Sequence, residues 1–198
     1  MKLRMLFFIL AASTAFTPAF GFDRDKIDFM IYGGNFTDTD LQHILMRAET
    51  DYKDSFLMVG AVNYLLDTNI RSLRFETEGQ IGKHFGRMNH FEFNGVLITR
   101  WVGSLFDRHF SIAFGEGLSL ATRQPELENP RDPFGRREEK SAEILNYLML
   151  EVELGLGDYP RQPRVFLRIH HRSGVFGTYC PPTCGSNFIT YGVKFSLN

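Results

Sequence analysis

Side chains along residues 142–157 alternate with a period of two. Ile144, Leu148, Leu150, Val152, Leu154 and Leu156 fall on one face, and Tyr147, Glu151 and Glu153 fall on the other. Successive side chains of an extended chain point to opposite faces, so the segment reads as a β-strand with one apolar and one charged side. The pattern recurs. Leu73, Phe75 and Thr77 oppose Arg74, Glu76, Glu78 and Gln80; Phe91, Phe93, Leu97 and Trp101 oppose Glu92, Asn94 and Arg100. Eight such runs follow one another, at about 27–36, 54–66, 70–82, 90–102, 109–121, 142–157, 164–173 and 187–197.

Two closed sheets satisfy this pattern. A soluble barrel keeps its apolar face inside; a membrane barrel turns it outward and encloses the polar groups. The polar face here is densely charged, with Glu151 and Glu153 set against Arg168 and Arg172, charges that can pair inside a narrow barrel. The gaps between strands also alternate. Those at 37–53, 122–140 and 174–186 are long, those at 67–69, 103–108 and 158–163 are short, and 83–89 is intermediate. Outer-membrane barrels pair short periplasmic turns with longer external loops. Abundant Phe (20), Tyr (7) and Gly (18) suit strands that meet lipid and bend into closure. The expectation is an all-β, eight-stranded antiparallel up-and-down transmembrane β-barrel in a bacterial outer membrane. Such a barrel fills its own interior with side chains, which argues against a pore. A net charge of −1 leaves no basic excess for nucleic acid.

Three details sit poorly with that pattern. The second strand, Phe56 to Leu66, is apolar on both faces. Glu116 shares a face with Phe114 and Leu118. The tail, Phe195-Ser196-Leu197-Asn198, does not finish on an aromatic residue.

Lys2 and Arg4, the apolar run Leu6–Ala12 and the small residues of Ala19-Phe20-Gly21 read as an export signal over 1–21, leaving 22–198 as one barrel domain. The apolar run falls short of the roughly 20 residues a spanning helix needs. Cys180 and Cys184, in Cys-Pro-Pro-Thr-Cys, are the only cysteines. In an exported chain they read as a disulfide that staples a loop, ahead of a metal or redox pair.

Nucleotide, zinc-peptidase and nucleophile-elbow motifs are missing, so chemistry is sought in the last hairpin. Val165, Leu167, Ile169, His171 and Ser173 share the apolar face of the seventh strand, and Asn187 begins the apolar face of the eighth. Hairpin pairing is expected to bring Asn187 near Ser173. A Ser beside a His, with a third group to orient it, is the general plan of an activated nucleophile. His171 would take the Ser173 proton, and Asn187 would hold the imidazole or help stabilise an oxyanion. Small polar residues at a barrel rim also cost little, about 0–1 kcal/mol, so a plain polar rim explains the same residues. His170 belongs by parity to the interior, and His43, His84, His90 and His109 carry no assigned role.

His171-x-Ser173 on the penultimate strand resembles the motif of the lipid A 3-O-deacylase (PagL) family of small outer-membrane barrels. The resemblance covers about the last thirty residues; elsewhere it is one of size, leader and strand count. It implies an esterase that removes an ester-linked acyl chain from lipopolysaccharide, with outer-membrane lipids as partners and no cofactor or metal. The family commonly has Asn directly after the Ser as an oxyanion partner, and Gly174 occupies that place as the oxyanion candidate. The family's acidic position is Asn187. The alternative is a non-catalytic small barrel with a structural or binding role.

Overall fold

The computed structural model describes residues 23–67, 70–129, 141–157, 163–175, 177–181 and 183–197. The export signal expected over 1–21, and the basic residues Arg131, Arg136, Arg137 and Lys140, lie outside them.

Eight strands form one closed sheet: β1 (Ile27–Thr37), β2 (Tyr52–Leu65), β3 (Leu73–Gly86), β4 (Phe91–Leu105), β5 (Arg108–Ala121), β6 (Ile144–Gly155), β7 (Arg164–Ser173) and β8 (Gly185–Ser196). Each pairs antiparallel with the next, and β1 pairs with β8 from Asp28↔Ser196 to Thr37↔Asn187, which closes an up-and-down barrel. Closure leaves no unpaired edge. A seven-residue helix, α1 (Leu41–Arg47), lies in the connection after β1. Among the described residues, a 3₁₀ turn at Glu126–Glu128 lies in the connection after β5.

The alternation sorts side chains by chemistry. Leu97 and Tyr191 are 68% and 71% exposed on the outer wall, whereas Arg168, Arg172 and Glu153 are 0% exposed within. Arg168 bonds Glu78 at 2.6 Å and Glu151 at 2.5 Å. Arg100 bonds Glu76 at 2.7 Å and Glu151 at 2.9 Å. Lys194 bonds Glu151 at 3.1 Å and Glu153 at 2.5 Å. A buried charge is tolerated only when paired and hydrogen-bonded, and here Glu151 and Glu153 are each shared between cations of different strands. Of the pairs the sequence set together, Arg168 meets Glu151. Arg172 instead meets Glu128 at 2.6 Å, because the 3₁₀ turn folds down into the long-loop end of the barrel.

The double apolarity of β2 has a structural reason. Its inward residues Leu57, Val59 and Ala61 pack with Met30, Tyr32, Phe36, Phe166 and Phe188, so one sector of the interior is an apolar core. Met88 and Leu127 descend from the loops to join that cluster. The gap expected at 103–108 shrinks to a two-residue turn, since Leu105↔Arg108 still pair. Phe106 and Asp107 both take positive φ (52° and 60°), as a tight hairpin turn requires. Turns of that kind usually carry Asn or Gly, which is why the sequence did not announce it.

Arg168→Ala removes the cation between two buried carboxylates. It is expected to lower the unfolding free energy by about 3–5 kcal/mol, read from denaturant titration of the purified barrel.

Candidate active site on the outer wall

The register of the last three hairpins brings polar side chains of distant sequence onto one outward row. Glu116 pairs with Leu148, Leu148 with His171, and His171 with Asn187. One step nearer the loops, Asn146 pairs with Ser173 and Ser173 with Gly185. This corrects the expected pairing of Asn187 with Ser173. β8 begins two residues earlier than its apolar pattern suggests, at a Gly185 with φ of +131°, so Asn187 faces His171 instead.

That register makes the key contact. His171 Nδ1 lies 2.7 Å from Asn187 Oδ1. The other end of the amide is committed as well, since Asn187 Nδ2 donates to the Thr39 carbonyl at 2.8 Å. A carbonyl only accepts, so the amide cannot be reversed. Its oxygen therefore faces the ring, and His171 must donate from Nδ1. The neutral imidazole then carries its lone pair on Nε2. This is the tautomer that a base beside a serine needs. Thr39 belongs to the loop after β1, whose Asp51 N–H bonds both the Thr37 and Thr39 hydroxyls at 3.0 and 2.9 Å. Asn187 is thus an outward residue that this loop covers, and it is only 8% exposed.

Ser173 stands two residues from His171 on the same face of β7. The Nδ1 hydrogen bond of His171 goes to Asn187, not to Ser173. No hydrogen bond joins Ser173 to His171 among the described residues, and such bonds commonly form or tighten only when substrate binds. Both residues line a depression of ≈540 Å³ with Glu116, Asn146, Leu148 and Asn187. Asp40, Leu41 and Gln42 bound it on one side, and Val175, Thr183 and Cys184 bound it at the loop end.

Glu116 and Asn146 are the residues that sequence reasoning did not place here. Glu116 remains outward, because β5 keeps unbroken register on both sides, and it accepts from Asn146 Nδ2 at 3.5 Å. The carboxylate that looked misplaced beside Phe114 and Leu118 is a wall of the depression. That mismatch was the signal available in the sequence.

Gly174, the oxyanion candidate, follows Ser173 where β7 ends. Cys180 and Cys184 are disulfide-bonded, and their loop packs against it. A Cβ on Gly174 would meet Cys180 O at 2.6 Å and Cys180 Sγ at 2.7 Å. A larger residue there would force the stapled loop to shift. His170 points inward, bonding Glu92 at 2.8 Å and Tyr147 OH at 3.1 Å.

Comparison with protein-family models, with curated proteins and with solved structures finds no match to this chain.

Two measurements check this geometry. The imidazole ¹⁵N spectrum should report His171 protonated on Nδ1 in the parent and redistributed between both nitrogens in Asn187→Leu. Gly174→Asn should destabilise the barrel by about 1–3 kcal/mol through overpacking against the disulfide loop, seen as a lowered denaturation midpoint.

Proposed function

We propose that this protein is an outer-membrane esterase that removes an ester-linked acyl chain from lipopolysaccharide, in the manner of a lipid A 3-O-deacylase. The observation that carries the reading is the Asn187-held tautomer of His171 beside Ser173, in a depression on an apolar outer wall. A catalytic site facing away from the barrel is of use only to a substrate embedded in the surrounding lipid.

The membrane placement rests on polarity. Apolar side chains such as Phe29, Ile81, Phe93, Leu97, Ile112, Leu118 and Tyr191 cover the outside of strand after strand. Soluble monomers rarely leave an apolar surface of that extent uncovered. A closed barrel also satisfies its backbone internally, the condition for crossing hydrocarbon with strands. The strand ends after β1, β3, β5 and β7 lie at one end of the barrel, and those after β2, β4 and β6 lie at the other. The long-loop end is the external one in this reading, and the depression opens beside it, at the level of the outer leaflet.

In the reaction, Ser173 Oγ attacks the acyl carbonyl carbon while its proton passes to His171 Nε2. The tetrahedral intermediate collapses, and the sugar alkoxide leaves with that proton. Water, deprotonated by the same nitrogen, then releases the fatty acid and restores Ser173. Asn187 holds the ring through both steps but supplies no negative charge to the imidazolium. Glu116, in the same depression, is the carboxylate available to lower that cost. A second depression of ≈590 Å³ shares Glu116 and Asn146 and is lined by Phe75, Leu97, Phe114 and Leu118, an apolar bed for the acyl chain.

Expressed in a Gram-negative host, the parent should shorten lipid A by one ester-linked acyl chain, seen by mass spectrometry. Ser173→Ala and His171→Ala should each reduce that conversion by about 10²–10⁴-fold while the barrel still folds. Intact lipid A under strong expression of the folded parent would leave only a structural barrel. The membrane placement has its own check. Leu97→Arg, at mid-strand, should cost about 2–4 kcal/mol when folding is measured in a bilayer, whereas a water-exposed position would give roughly ±0.5 kcal/mol.

A further inference from the structure

At the long-loop end of the interior, the β3–β4 hairpin presents three potential ligands on a single ribbon. His84 is on β3, Glu92 on β4, and His90 just before β4. The His84 N–H bonds the His90 carbonyl at 2.9 Å, so the backbones are held face to face. The two imidazoles stack at 4.1 Å between centroids and 12° between planes. All three side chains are buried, at 0%, 2% and 0% exposure.

Their hydrogen bonding is incomplete. His84 Nε2 bonds Glu92 Oε2 at 2.7 Å, and the other oxygen of Glu92 takes His170 Nε2 at 2.8 Å. His84 Nδ1 and both ring nitrogens of His90 are buried without a partner. Buried polar atoms nearly always find one, and each orphan costs about 1–3 kcal/mol. Three orphaned nitrogens in one hairpin therefore ask what they are for. The stack brings these unpartnered nitrogens together beside the Glu92 carboxylate.

We propose that His84, His90 and Glu92 form a binding site for one divalent first-row transition metal ion of the zinc type. One donor atom from each residue lies within 4.8 Å of the others. Tetrahedral zinc with bonds of about 2.0–2.1 Å spaces its donors by roughly 3.4 Å. Binding would therefore draw the donors together by turning the two rings out of their stack. Two imidazoles and one carboxylate are a zinc-type donor set, while calcium and magnesium take oxygen ligands. His170 orients the carboxylate from behind, as an outer partner of a metal ligand does. The nearest cation to that carboxylate is Arg172, whose Nε is 4.0 Å from Glu92 Oε2 and whose Nη1 is bound to Glu128. The site would tie the β3–β4 hairpin together at the end where the loops enter. It is separate from the outer-wall depression and does not depend on the esterase reading.

Zinc chloride titrated into the folded full chain in detergent should saturate at one ion per chain and raise the thermal midpoint, with no effect from Mg²⁺. Cobalt should give the intense visible absorption of a tetrahedral site. His90→Phe keeps the stacked ring but loses both donors. It should bind zinc at least about 100-fold more weakly, since even outer partners of a metal ligand are worth roughly 10–100-fold. His43→Ala, in α1, should bind as the parent does. Absence of saturable binding, a cobalt spectrum of the hydrated ion alone, or undiminished binding by folded His90→Phe would overturn the proposal.

Discussion

Burial of unlike charges inside a closed sheet is the constraint on which this architecture turns. Glu76, Glu78, Glu151 and Glu153 come from β3 and β6, and Arg100, Arg168 and Lys194 from β4, β7 and β8. No two neighbouring strands can neutralise this set alone. Arg168 reaches across the interior to Glu78, ninety positions away in the chain. The charges are satisfied only when the barrel is complete, so closure and electrostatic pairing are one event. The interior of a narrow barrel excludes water, which makes any unpaired member costly and the full set mutually dependent.

With charge enclosed, the outer wall is left apolar, and polar groups on it stand out as exceptions. Some, such as Asn35, Thr77 and Thr99, stand singly, and others gather. Glu116, Asn146, His171, Ser173 and Asn187 come from four adjacent strands and line one depression. Cross-strand register brings them together, and the loop after β1 then partly covers them. The Thr39 carbonyl decides the orientation of Asn187, and Asn187 decides which nitrogen of His171 carries the proton. A backbone atom near residue 40 thereby sets the acid–base character of a side chain on the seventh strand.

The loops also close the interior from one end. Glu128 binds Arg172 and Ser186, while Met88 and Leu127 extend the apolar core. The stacked histidines lie at this same end. Their unsatisfied nitrogens contrast with Arg168 at mid-barrel, which bonds Glu78, Glu151 and Tyr32. The disulfide loop constrains the opposite side of the rim. By packing on Gly174, it makes a bulkier residue directly after Ser173 costly.

The sequence alone determined the strands, their number and, except for β2, which face is apolar, because a two-residue period is a local property that needs no partner. It also marked His171, Ser173 and Asn187 as polar groups on a greasy face, and Glu116 as a misfit. Only the tertiary structure decided which of these meet. Asn187 faces His171 rather than Ser173 because a glycine with positive φ admits β8 two residues early. Arg172 serves the loop plug and not Glu151 or Glu153, because a 3₁₀ turn some forty residues away fills that end of the barrel. Register, loop placement and long-range ion pairing depend on distances between segments far apart in the chain. Alternation along a single segment carries no information about them.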